Sequence, residues 1–167
     1  MQLVKTFFAV SIVLGLTACG DKNEAKTGKT DSLPVVNTQT ITASSQIEKL
    51  GPEGLLVTSS PGWHAQQPPK YPEQVTIDFG ISKQFNTIGL YPQSGFSDRN
   101  PKSFDLESSA DGVAWSQVLS VTDGCKPGQS GWIDFPLKQT VVAKHVRLTI
   151  KANCGSNYLT LMGIRFQ

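Results

Sequence analysis

The run Ser109-Ala110-Asp111-Gly112-Val113-Ala114-Trp115 constrains this chain more than any other stretch. Two period-two segments flank it: Ser103-Phe104-Asp105-Leu106-Glu107-Ser108 and Gln117-Val118-Leu119-Ser120-Val121. Asp-Gly between alternating apolar residues is a strong short-range hairpin signal, because glycine accepts a positive φ without steric cost. Asp111 and Gly112 are read as the turn. Trp115, three residues beyond the glycine, is read as the apolar anchor that buries the hairpin in a core.

The rest of the domain repeats this theme. Val75–Phe79, Thr87–Tyr91, Phe104–Ser108, Gln117–Val121, Trp132–Phe135, His145–Ile150 and Leu159–Phe166 are short alternating runs separated by Gly, Pro and Asn. Helical periodicity is nearly absent. Evenly spaced short strands with turn signals predict an all-β sandwich or barrel. In the run from His145 to Ile150, Val146, Leu148 and Ile150 share one face, and His145, Arg147 and Thr149 the other. Such half-buried alternation suits an antiparallel sheet wetted on one side. Asp105 and Glu107 are read as solvated sheet positions. The last run loses its period between Leu161 and Ile164, which predicts a bulge near Met162-Gly163.

The N-terminus reads as targeting signal rather than fold. Lys5 precedes an apolar stretch, Phe7–Leu16, too short to span a bilayer. Leu16-Thr17-Ala18-Cys19 resembles a bacterial lipobox, which makes residues 1–18 a signal peptide and Cys19 the lipidated residue. Gly20 stands where inner-membrane retention signals place Asp, so the resemblance implies an outer-membrane lipoprotein. Residues 19–38 are polar and read as a flexible tether. About 18 such residues reach roughly 20–25 Å as a random coil. The folded domain then occupies residues 39–167.

Within that domain eleven Lys and Arg face ten Asp and Glu. No basic stripe with interleaved aromatics is present, so nucleic acid is excluded as the expected partner. Cys125 and Cys154 form an even pair in an exported domain and read as a disulfide joining two Gly-rich turns. One Cys per turn with no nearby His argues against a metal site. No His-x-x-Glu-His, Gly-x-Ser-x-Gly or phosphate-loop motif occurs, and the carboxylates are scattered singly. The expectation is therefore a binding protein without catalytic residues or cofactor. His145 reads as a sheet-face residue.

Six segments, in order, resemble the discoidin-type domains of the coagulation factor V/VIII type C family. They are Ile41–Ser45, Gly51–Leu56 with Gly62-Trp63-His64, Val75–Gly80, Pro101–Phe104 continuing through Trp115, Ala143–Leu148, and Leu161–Phe166. The resemblance covers essentially residues 40–167. It implies an eight-stranded antiparallel, jelly-roll-like β-sandwich with Trp63 in the core. Many bacterial relatives hold a structural Ca²⁺ with an Asp and a Glu. Here Val57 and Gly163 stand at those places, so no tightly bound Ca²⁺ is expected, because hard cations need oxygen ligands.

The resemblance further implies a shallow site for carbohydrate at one end of the sandwich, where a ring stacks on the sugar and planar donors fix its hydroxyls. Three loops supply suitable groups: His64 from Pro61–Ala65, Phe96 and Arg99 from Tyr91–Asn100, and Asn157 and Tyr158 from Asn153–Tyr158. The structural alternative pairs Arg99 with Asp98 or with the hairpin and packs Tyr158 at the sandwich end. The rival function is a structural or protein-interaction module of the envelope. Docking of apolar loop tips on a membrane ranks last, since Phe96 is the one obvious spike.

Overall fold

The computed structural model describes residues 38–57 and 61–167. The expected signal peptide, Cys19 and the expected tether up to Asn37 lie outside the described residues. The chain forms β1 (Thr40–Ala43), β2 (Trp63–His64), β3 (Glu73–Tyr91), β4 (Pro101–Ser109), β5 (Ser116–Val121), β6 (Ile133–Asn153), β7 (Thr160–Leu161) and β8 (Gly163–Phe166). Single-turn 3₁₀ helices occur at Pro52–Leu56 and Ser97–Arg99. All pairings between these strands are antiparallel. The all-β expectation therefore holds.

Two pairs of the predicted runs merge. Val75–Phe79 and Thr87–Tyr91 both lie on β3, and most of Trp132–Phe135 joins His145–Ile150 on β6, with Trp132 just outside. The intervening Ile81–Gln84 segment is exposed, so its side chains lose the alternating pattern. Of that segment Lys83 and Gln84 pair with Ala143 and Val142 of β6, whereas Ile81 and Ser82 lie in the register shift between Asp78 and Lys83. Gly80, at φ 75°, accommodates that turn. The N-terminal half of β3 and the C-terminal half of β6 are flanked by β1 on one side and by β4 and β5 on the other. The opposite halves carry the ladder on to β8, and β2 and β7 form a separate ribbon.

Inward side chains from both halves meet in one core. Val75, Ile77, Phe104, Leu106, Val146, Leu148 and Ile150 are all at most 1% exposed. Phe104 of β4 meets Phe135 of β6 edge-on with centroids 5.1 Å apart, and Phe166 packs edge-on against Phe79 and Phe85. Trp63 is fully buried, as expected, and its Nε1 donates to the Ser45 carbonyl at 2.9 Å. The β6 alternation is as predicted: His145, Arg147 and Thr149 face outward, and His145 Nδ1 lies 3.8 Å from Asp78 Oδ2.

The central hairpin forms, but its loop and its tryptophan differ from expectation. Seven residues, 109–115, connect the paired Ser108 and Ser116. Asp111 Oδ1 accepts from the Val113 N–H (2.8 Å), the Ala114 N–H (2.9 Å) and the Ser109 hydroxyl (3.0 Å), and Ser109 Oγ accepts from the Gly112 N–H. Gly112 has φ 76°. Trp115 is half-buried on the outer face rather than in the core, with the Arg147 guanidinium 4.3 Å over its ring. The cause is a register shift. Leu106 pairs with Leu119 but Glu107 pairs with Gln117, so one extra residue in β5 reverses the parity of everything before it. Asp105 and Glu107 are likewise not simply solvated. Glu107 pairs with Arg147 at 2.8 Å, and Asp105 pairs with Lys151 and accepts from Ser120.

The two backbone N–H donors hold the Asp111 carboxyl down to about 2. A depressed carboxyl contributes stability that is present above its unfolded value, near 4, and is lost as pH falls through about 2. Asp111→Asn should therefore melt a few degrees below wild type at pH 7, and the gap should close on acidification through that window. A gap that persists at pH 2 would show that charge has no part in the loop.

The predicted bulge at Met162-Gly163 is instead a crossing between sheets. β7 pairs with β2, whereas β8 pairs with β3, and the Met162 N–H donates to the Tyr91 carbonyl between them. The two apolar pairs thus reach the core from different ladders. Gly163 sits tightly there, since a Cβ would stand 3.0 Å from the Trp132 ring and would make it give by a few tenths of an ångström. Cys125 and Cys154 form the expected disulfide, with Cα atoms 5.8 Å apart.

Candidate functional site

The loops between β3 and β4 and between β6 and β7 meet beside the β2–β7 ribbon. After Gly95, at φ 79°, Phe96 leads into the 3₁₀ turn Ser97–Arg99, closed by the Arg99 N–H bonding to the Phe96 carbonyl. This turn brings the Arg99 guanidinium 3.9 Å over the Phe96 ring. The β6–β7 loop is shaped by Asn153, whose Nδ2 donates to the carbonyls of Ser156 and Tyr158. That loop is tied to the first by the Cys154 N–H, which donates to the Asn100 carbonyl at 3.0 Å. It sets the Tyr158 ring 4.4 Å from the same guanidinium. Arg99 thus stacks on two rings at once, an attraction worth about 0.5–2 kcal/mol per ring depending on exposure.

His64 enters from β2, which pairs it with Thr160 of β7. Burial lowers the His64 pKa, and the Arg99 charge lowers it further against a hydrogen bond at the Pro61 backbone. The imidazole is therefore predominantly neutral at pH 7, with one nitrogen able to donate and the other to accept. Gln93, which sequence reasoning did not single out, links the parts. Its Oε1 accepts from Arg99 Nη1 at 3.1 Å and from the buried Thr160 hydroxyl at 3.2 Å. Its signal was its place within the Tyr91–Asn100 stretch already marked as a binding loop.

Of the five residues predicted, His64, Phe96, Arg99 and Tyr158 come together. Asn157 is exposed beside Tyr158 and makes no hydrogen bond to the other four. The proposed pairing of Arg99 with Asp98 does not occur: no carboxylate lies within 4 Å of the guanidinium among the described residues. Phe96 is 42% exposed, so one face of the aromatic platform is open. A polar groove of about 230 Å³ runs beside it, lined by Ser94, Gly95, Ser97, Gly128, Gln129 and Ser130. Among the described residues no three His, Cys, Asp or Glu side chains are grouped to hold a metal ion.

The fold with its loop-borne site is that of a discoidin-like β-sandwich. The chain belongs to the F5/8 type C domain family, which matches residues 40–164. No match is found among the curated proteins. Several solved structures share the architecture. A module of Clostridium perfringens solved in complex with GalNAc-β-1,3-galactose is 22% identical at a TM-score of 0.60, over 75% of this chain and 92% of its own. A family 32 carbohydrate-binding module of C. perfringens solved with galactose is 12% identical at 0.64, over 75% and 90%. A chitosan-binding module from a chitosanase/glucanase of Paenibacillus sp. is 23% identical at 0.62, over 75% and 92%. At such identities the likeness is one of fold.

Proposed function

We propose that this protein is a lipid-anchored, non-catalytic carbohydrate-binding module of the bacterial outer membrane, taking sugar at the Phe96–Arg99–Tyr158 cluster with His64 and Asn157 at its edge. The observation that carries the reading is the stack of Arg99 between two rings beside a neutral imidazole. It holds planar donors rigidly next to an open aromatic face, and this is what recognition of a sugar requires. The sugars bound by the modules of like fold are consistent with it.

The test is a glycan array probed with the full chain, followed by titration of any hit. Arg99→Ala removes a hydrogen-bonding cation and unseats both rings, so affinity should fall about 10–100-fold. Silence across the array, together with a specific protein recovered by cross-linking, would overturn the sugar reading in favour of an interaction module. The anchor is tested separately. Cys19→Ser should move the protein from the membrane to the soluble fraction, since several acyl chains hold a protein on a bilayer almost permanently. Unchanged fractionation would remove the lipid from the proposal.

A further inference from the structure

The three described arginines form an internal comparison. Each stacks on an aromatic ring: Arg147 on Trp115, Arg165 on Trp132, and Arg99 on Phe96 and Tyr158. Arg147 is also paired with Glu107 at 2.8 Å, and Arg165 is paired with Asp134 at 2.8 Å. Arg99 has no such counter-charge among the described residues. Its single acceptor is the neutral amide oxygen of Gln93, and its Nε is buried without a partner. His64 has no carboxylate within ion-pair reach among the described residues.

A guanidinium partly withdrawn from water and paired only with a neutral acceptor has its charge left uncompensated. Both ring stacks use its faces, so a ligand meets its edge, where N–H groups point in the plane. An oxyanion at that edge supplies the missing charge, and a charge-assisted hydrogen bond is about twice as strong as a neutral one. A neutral hydroxyl there leaves the imbalance in place. We infer that the ligand is an acidic glycan, and that a sugar carboxylate of the uronic-acid type pairs with Arg99. The inference rests on the carbohydrate reading of this site and narrows it to a chemical class.

The test uses the full chain and calorimetric titration with oligomers of galacturonate, glucuronate and mannuronate, each beside its carboxyl-reduced counterpart. At least one acidic oligomer should bind about tenfold or more tightly than its neutral twin. That preference should shrink as sodium chloride rises from about 0.05 to about 0.5 M, because the ion pair is screened. In Arg99→Gln the acid and the neutral twin should bind alike. Neutral oligomers that bind as well as or better than their acidic twins would overturn the inference and leave the carbohydrate reading standing. Failure of every oligomer, acidic and neutral, together with a silent array would overturn both. The comparison of twins is made on the unaltered protein and does not depend on the variant folding.

Discussion

Glu73→Ala is expected to lower the stability of the domain by about 3–5 kcal/mol, the range for leaving a buried polar network without its acceptor. Glu73 opens β3 and is 1% exposed. Its Oε2 accepts the hydroxyls of Ser44 (2.5 Å) and Ser45 (2.8 Å), and its Oε1 accepts the Lys70 N–H at 3.1 Å. The serines are themselves acceptors, Ser44 Oγ from the Gln74 N–H and Ser45 Oγ from the Gln66 N–H. One carboxylate therefore joins the end of β1, the 66–70 segment and the start of β3, next to the Trp63 indole that bonds the Ser45 carbonyl. Alanine leaves three donors without an acceptor and opens a void. Glu73→Gln keeps the volume and one acceptor but turns an amide N–H₂ toward existing donors, so about half the loss is expected. Urea unfolding measures both, and a loss under about 1 kcal/mol for alanine would show that the network is dispensable. A second signature comes from Tyr71, whose hydroxyl burial and then the Glu73 charge push up to about 12. In Glu73→Ala the tyrosinate absorbance should rise at lower pH.

Removal of the Cys125–Cys154 bridge should cost about 3–4 kcal/mol, because it closes a loop with a sequence separation of 29. The effect should reach the site as well. Cys154 begins the loop that carries Asn157 and Tyr158 and donates to the Asn100 carbonyl. The Cys125 loop supplies Gly128, Gln129 and Ser130 to the groove beside Phe96. The double variant Cys125→Ala/Cys154→Ala should thus melt well below wild type and bind glycan more weakly. Titration of the unfolded, unreduced protein should find neither domain cysteine free. Two free thiols, or an unchanged melting temperature in the double variant, would remove the bridge from the account.

Much of the fold is written in local patterns. The Val146-Leu148-Ile150 alternation dictates which face of β6 is buried, because a strand's side chains have period two whatever it pairs with. Asp111 and Gly112 specify their loop because the carboxylate bonds the backbone two and three residues on and glycine tolerates the φ. The features that misled were those set by partners. Trp115 looks like a core anchor until the register of β4 with β5 turns it outward onto Arg147. The slip of phase after Leu161 looks like a bulge until β7 and β8 prove to belong to different sheets. Ile81–Gln84 looks like a gap between two strands, yet Lys83 and Gln84 already pair with β6 and only the register shift before them interrupts the ladder.

The site divides in the same way. His64, Phe96, Arg99, Asn157 and Tyr158 are legible as loop residues of the right chemistry, since rings and planar donors stand out between strands. Sequence determined the strand periodicity, the turn at Asp111-Gly112, the pairing of the two domain cysteines and this list of candidates. Only the tertiary structure decided that Arg99 is clasped by Phe96 and Tyr158, steadied by Gln93 and left without the carboxylate that its two counterparts possess. The reason is physical. Hydrogen bonds and φ preferences act between near neighbours in the chain, whereas the charge balance of a guanidinium depends on which distant loops the sheet pairing brings to it.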